Sequence, residues 1–281
     1  KDGFYEYYFN KALKKSPKVL ENGAVDYKNM NLFETVQKDQ LLAEYIPPKK
    51  GEFGYNVLGE FIPPQKGQEL PPLFGEGFFM SEDHRKYYSL LDGIVELEND
   101  EKLSVRSLLV ITGDVDVSTG NIVFEGDVNI TGTICAGFSV SAKGNVSVDG
   151  RCESCTICAG KDILIRRGCQ GNGTGHIQAG GSVIGHFFES VTVRAGGDME
   201  ASYLLNTNVS VNGMLKVGGR RGVIIGGKVA AKMGIDCHGV GTVAEVKTIL
   251  QVGIDTADMT HYQELSKQLL KVQTEIKTLE A

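Results

Sequence analysis

The cysteines are the first residues with chemistry to offer. Three stand as Cys152-x-x-Cys155-x-x-Cys158, and Cys169 follows eleven residues later. Thiolates at such spacing ligate iron–sulfur clusters, but the tightest runs have a close fourth cysteine and a proline, and both are missing here. The phase of the chain argues the same way. Cys155 lies two residues before Ile157 and shares its inward face, whereas Cys158 takes the opposite one. Thiols divided between two faces do not hold one cluster, so the expectation is small apolar core filling plus an exposed thiol at Cys158.

Other fragments of known chemistry are incomplete. Gly222-x-x-x-x-Gly227-Lys228 has most of a phosphate-binding loop, but Val229 stands where a hydroxyl must hold magnesium, and no helical pattern follows. Gly219-Arg220-Arg221-Gly222 has the spacing of a nucleic-acid-clamping loop without its fold context, and reads as a turn carrying two solvated arginines. Cys237-His238 is too isolated for a zinc site, and His176, His186 and His261 lack ligand-spaced partners. Asp114, Asp127, Asp162 and Asp198 could line one edge, as in a glycosidase. Acid–base work there needs a facing pair in a cleft, and these positions are better explained as turn formers. The residues therefore predict no catalytic, metal or cofactor site.

A repeat organises these residues. Thr156-Ile157-Cys158-Ala159-Gly160 recurs as His176-Ile177-Gln178-Ala179-Gly180 and Thr192-Val193-Arg194-Ala195-Gly196, with looser copies at Ser139–Lys143 and Asn208–Asn212. The apolar anchors Val140, Ile157, Ile177, Val193 and Val209 are 17, 20, 16 and 16 residues apart. A period in this range marks a solenoid. A second phrase follows each copy: a turn (Gly126-Asp127, Gly144-Asn145, Lys161-Asp162, Gly181-Ser182, Gly197-Asp198), then a short alternating run such as Val146-Ser147-Val148. Period-two runs of this length are strands. The fold expected is mainly β: a single-stranded parallel β-helix over residues 92–254, right-handed by the usual preference of parallel crossovers. About nine coils at roughly 4.8 Å each make a rod of about 43 Å. The insertion Gly171–Gly175 stretches one coil and predicts a protruding loop.

Two regions flank the repeat. Residues 1–91 read as a small β-rich domain, beginning with the alternating aromatic run Gly3–Phe9. Asn31 to Ala43 reads as a strand pair or a short helix, and Asp92-Gly93 as a hairpin turn. Glu44-Tyr45-Ile46-Pro47-Pro48-Lys49-Lys50-Gly51 returns 16 residues later as Glu60-Phe61-Ile62-Pro63-Pro64-Gln65-Lys66-Gly67. The proline pairs block ladder pairing and force exposed, extended segments. Pro47, Pro48, Pro63 and Pro64 read either as paired binding loops or as two strand exits with shared turn chemistry. Residues 255–281 lack Gly and Pro. Tyr262, Leu265, Leu269, Val272, Ile276 and Leu279 make a heptad seam among Glu264, Lys267, Lys271, Glu275 and Lys277, which predicts a helix that starts a coiled coil.

Composition sets outer limits. The 281 residues are 41% hydrophobic with 36 glycines, too apolar for a disordered chain. A net charge of -6 without a basic tract argues against nucleic acid and against anionic membranes as partners. No apolar run reaches membrane-spanning length. Free cysteines suit a cytoplasmic location. The chain begins at Lys1 rather than Met and reads as a piece of a longer protein.

The coil phrases with Gly218–Lys228, the Ile-Pro-Pro-x-Lys-Gly duplication, Val25-Asp26-Tyr27, and Gly113-Asp114-Val115-Asp116 leading to Thr119-Gly120-Asn121-Ile122 resemble the flagellar assembly protein A family across nearly the whole chain. The resemblance implies an N-terminal β-rich region, a β-solenoid and a helical C-terminal region. It implies a part in bacterial flagellar assembly or motility, and it brings no catalytic motif. The reading is a non-enzymatic scaffold or interaction protein, with flagellar or polar proteins as partners. Homo-oligomerisation is expected through Leu265, Leu269, Val272 and Ile276. The alternative is a polysaccharide-binding or polysaccharide-acting β-helix, which would need a groove of carboxylates, aromatics or basic residues on one face.

Overall fold

A computed structural model describes residues 1–11, 17–19, 25–30, 33–220, 222–253, 265–269, 271–273 and 276, with backbone alone at 17–19 and 25–30. Arg221, His261, Tyr262, Glu264, Glu275, Lys277 and Leu279 lie outside these residues. Two compact units divide the chain, Lys1–Leu109 and Val110–Ala281.

The first unit is β throughout its described residues. Phe4–Tyr7, Leu41–Ile46, Lys86–Ser89 and Phe78–Met80 form an antiparallel sheet in that order. A second sheet runs Thr35–Val36, Gly93–Glu98, Lys102–Arg106, Phe74–Glu76, its last pair parallel. Leu42, Ala43, Leu73, Tyr87, Val95, Leu103 and Val105 fill the core. Tyr87 is fully buried, and its hydroxyl accepts the Leu73 amide at 3.1 Å, so the polar end of a large ring is satisfied inside.

Two expectations are corrected here. Of the stretch from Asn31 to Ala43, the described residues from Phe33 on hold two strands that pair with other partners rather than with each other, and no helix. The hairpin turn lies at Asn99-Asp100, not Asp92-Gly93. Asn99 and Asp100 both take positive φ (53° and 59°), the conformation a tight hairpin requires. That hairpin pairs Ile94 with Arg106 antiparallel. It also pairs with Thr35–Val36 and Phe74–Glu76, inside the unit Lys1–Leu109.

The second unit is the solenoid. Each full coil contributes short strands to three parallel walls. One wall stacks Ile122, Val140, Ile157, Ile177, Val193, Val209, Val229 and Leu250. A second stacks Val128, Val146, Ile163, Val183, Met199, Leu215 and Ile235. The third stacks Ile134, Cys152, Cys169, Phe188, Leu204, Ile224 and Val240. Apolar residues at matching slots thus become continuous columns of core. The count is about eight coils rather than nine, because the strands from Gly93 to Arg106 form the hairpin instead.

The Gly-Asp and Gly-Asn phrases have a specific cause. Asp127 Oδ1 accepts the amide of Asn145 one coil on, at 2.7 Å. Asn145 Oδ1 accepts from Asp162 N, Asp162 Oδ1 from Ser182 N, Ser182 Oγ from Asp198 N, and Asp198 Oδ1 from Met214 N. One polar ladder therefore climbs this corner, each side chain capping the turn above. Its carboxylates alternate with neutral Asn or Ser, which keeps like charges two coils apart, about 10 Å. Above each of the three aspartates a glycine makes room. A methyl at Gly144, Gly181 or Gly213 would overlap the carboxylate of Asp127, Asp162 or Asp198 respectively. Asp114 stands at another corner, where it accepts the amide of Thr133, so the expected line of four aspartates is three.

The inserted loop is a bulge in the long strand Cys169–Ala179. Register slips between Gln170 and Gly175, and Asn172, Gly173 and Thr174 are exposed. At the C-terminal end, nine described residues are helical (265–269, 271–273 and 276), shorter than the three-heptad seam expected. A C-terminal coiled coil is not supported by them.

Gly144→Ala is expected to destabilise the solenoid by about 1–3 kcal/mol, because the new methyl displaces Asp127 and breaks one rung. Gly218→Ala, where a methyl meets nothing within 4 Å, serves as the control and should cost much less. Thermal melts of the two variants measure the difference; equal melting temperatures would refute the steric role of Gly144.

Candidate functional site

The described residues bring three of the candidate thiols together. Cys152 and Cys169 are register partners in adjacent coils, and Cys155 lies close to both. All three are buried. Cys152, and then Cys169, pull the Cys155 thiol below the usual range, against the opposing effect of burial. The Cys152 thiol is pushed up, first by Cys155, then by Cys169 and burial. Cys158 is half-buried in the outward slot, in register with Ser141 and Gln178. Sequence spacing grouped Cys152, Cys155 and Cys158; coil geometry groups Cys152, Cys155 and Cys169. No group of three or more metal-ligating side chains with suitable geometry occurs among the described residues.

The phosphate-loop fragment is two strands, Val223–Ile225 and Gly227–Ala231, with no helix N-terminus between them. The proline pairs each follow a strand, Leu41–Ile46 and Phe61–Ile62, as strand exits would. They also oppose each other. A methyl at Gly51 would sit 2.7 Å from Pro64 Cβ, and one at Gly67 would sit 2.6 Å from Pro48 Cβ. The two copies therefore cross reciprocally, each proline over the other copy's glycine. The helical Leu265, Leu269, Val272 and Ile276 are about half exposed.

One surface feature was not anticipated. Along one corner of the solenoid, two adjoining depressions of about 440 and 610 Å³ meet at Ser202. His186, Tyr203 and Arg220 line one, and Glu200, Lys216, Asp236 and His238 the other. Glu200, Lys216 and Asp236 are neighbours in successive coils and alternate in sign. Phe187 and Tyr203 stack at 5.4 Å with planes 7° apart. Ser202 Oγ lies 3.2 Å from His186 Nδ1. A Ser–His pair alone is not a triad, and among the described residues no carboxylate is hydrogen-bonded to the His186 ring. The signal was present in the sequence. His186 and Ser202 are 16 residues apart, one coil step, and His238 follows one step after Gly222.

The geometry defines a β-solenoid protein with a separate β-rich unit before it. Residues 1–100 match the Flagellar Assembly Protein A N-terminal region, and residues 107–281 match the Flagellar Assembly Protein A beta solenoid domain. The chain belongs to the flagellar assembly protein A family. No curated protein matches it, and no solved structure does.

Proposed function

We propose that the chain is a non-enzymatic scaffold that binds flagellar or polar proteins in the bacterial cytoplasm during flagellar assembly. Membership of the family carries the link to the flagellum. The ladder of about eight coils supports the scaffold role, since residues at fixed steps along a stiff wall hold bound proteins at fixed spacing. The proline-bearing copies are one contact surface in this reading. The seam Leu265, Leu269, Val272 and Ile276 is a self-association surface, because four apolar side chains at heptad spacing are left about half exposed.

A second reading has one observation in its favour. The depression around Ser202 combines the Phe187–Tyr203 stack with Glu200, Asp236 and Arg220, the side-chain types that hold a polysaccharide. It would make the solenoid a glycan-binding rod.

Two measurements test the first reading. Deleting the gene in its native bacterium should reduce flagella per cell, counted by electron microscopy, and the intact gene should restore them. Unchanged flagellation contradicts the role. Light scattering of a chain ended after Gly253 should give a smaller oligomer than the full chain; an unchanged mass removes the self-association role of the seam.

A further inference from the structure

Between the two crossed proline copies, the first unit carries a prong. Gly54–Tyr55 and Phe61–Ile62 pair antiparallel, Tyr55 opposite Phe61. Asn56 builds the tip. Its Oδ1 accepts the amides of Leu58 and Glu60, both at 2.9 Å, and its Nδ2 donates to Glu60 Oε2 at 2.6 Å. The Gly59 amide closes the turn on the Asn56 carbonyl at 3.0 Å. Such a tip is rigid because its polar groups bond one another rather than solvent.

What this rigid turn displays is apolar. Val57 is fully exposed and Leu58 is 80% exposed. Behind them, Phe53, Tyr55 and Phe61 form an exposed aromatic collar, with ring centroids 4.9 Å apart for Tyr55–Phe61 and 6.2 Å for Phe53–Phe61. Scattered apolar residues on a surface need no explanation, but a contiguous group on a built turn does. At the base, Lys49, Lys50 and Lys66 are exposed. Glu52 and Glu60 oppose them, and Asn56 holds Glu60 without neutralising it, so three lysines against two carboxylates leave residues 49–66 with one net positive charge on a chain of net charge -6.

The order along the prong is aliphatic tip, aromatic collar, cationic base. A bilayer surface has the same order from its acyl chains outward: hydrocarbon, an interfacial layer favoured by amphipathic rings, then anionic headgroups. We infer that the Phe53–Ile62 prong inserts into the headgroup region of an anionic membrane, with Val57 and Leu58 in the acyl boundary and the three lysines against lipid phosphates. This goes beyond the scaffold reading and does not depend on it. No described helix is long and apolar enough to cross a membrane, and the attachment is peripheral. One short prong gives reversible binding that strengthens when several copies bind together.

Co-sedimentation of the full chain with vesicles tests this. Vesicles of phosphatidylglycerol in phosphatidylcholine should pellet the chain, and pure phosphatidylcholine should pellet far less. V57S/L58S, which changes two side chains that make none of the turn's hydrogen bonds and leaves the Leu58 amide in place, should weaken binding by about tenfold or more. K49Q/K50Q should weaken it severalfold on the anionic vesicles, and added salt should do the same. Equal binding to the two vesicle types, or unchanged binding by V57S/L58S, overturns the inference. So does absence of binding to either vesicle, which would assign the prong to a pocket on a protein instead.

Discussion

Each coil of the solenoid hydrogen-bonds the next through nearly all of its backbone, and that pairing fixes which residues can follow one another. Successive coils must repeat at the strand spacing, so a residue meets its equivalent above and below at roughly 4.8 Å. Apolar residues then satisfy one another in columns. The polar corner follows the same rule, since Asp127, Asn145, Asp162, Ser182 and Asp198 each cap the turn above. Where a carboxylate leans into the next coil, that coil has no room for a side chain, and the sequence answers with Gly144, Gly181 and Gly213. A glycine chosen for close approach differs from one chosen for unusual backbone angles: these three lack positive φ, whereas Gly219 and Gly226 have it.

The constraint also says where the fold leaves freedom. Outward slots do not pack, so Ser141, Cys158, Gln178, Arg194 and Ser210 differ freely along one wall. At the corner around Ser202 that freedom has assembled a charged and aromatic depression. Leu250 is 39% exposed where its predecessor Val229 is fully buried, and among the described residues it is the last anchor of the column. The prong in the first unit follows different rules. There a single Asn organises a turn whose apolar side chains face outward, an arrangement without benefit to the fold itself.

Much of the solenoid was legible in the sequence because its stacking is a one-dimensional rule. Anchors spaced by 17, 20, 16 and 16 residues do lie in one column, and Cys152 does stack on Cys169. Contacts between walls were not legible. Cys155 lies in the bend between the strands Cys152–Glu153 and Thr156–Ala159, and its closeness to Cys152 and Cys169 depends on how the chain turns between walls. The hairpin at Asn99-Asp100 was missed because Asp92-Gly93 has the stronger dipeptide signal, although strand length places the turn later. The aspartates were assigned to turns correctly, but Asp114 was placed on the wrong corner, since two corners share the Gly-Asp phrase. The groove needed a coil-by-coil alignment of polar residues, and the sequence reading aligned only the apolar ones.

The stacking itself is best tested by distances along one wall. Spin labels at Val123 paired in turn with Gln178, Arg194 and Ser210 span three, four and five coil steps. With Cys135, Cys158 and Cys237 replaced by serine, double electron–electron resonance should give backbone separations of about 14, 19 and 24 Å, one strand spacing more per coil. Separations that do not rise steadily from pair to pair would contradict a single stacked rod.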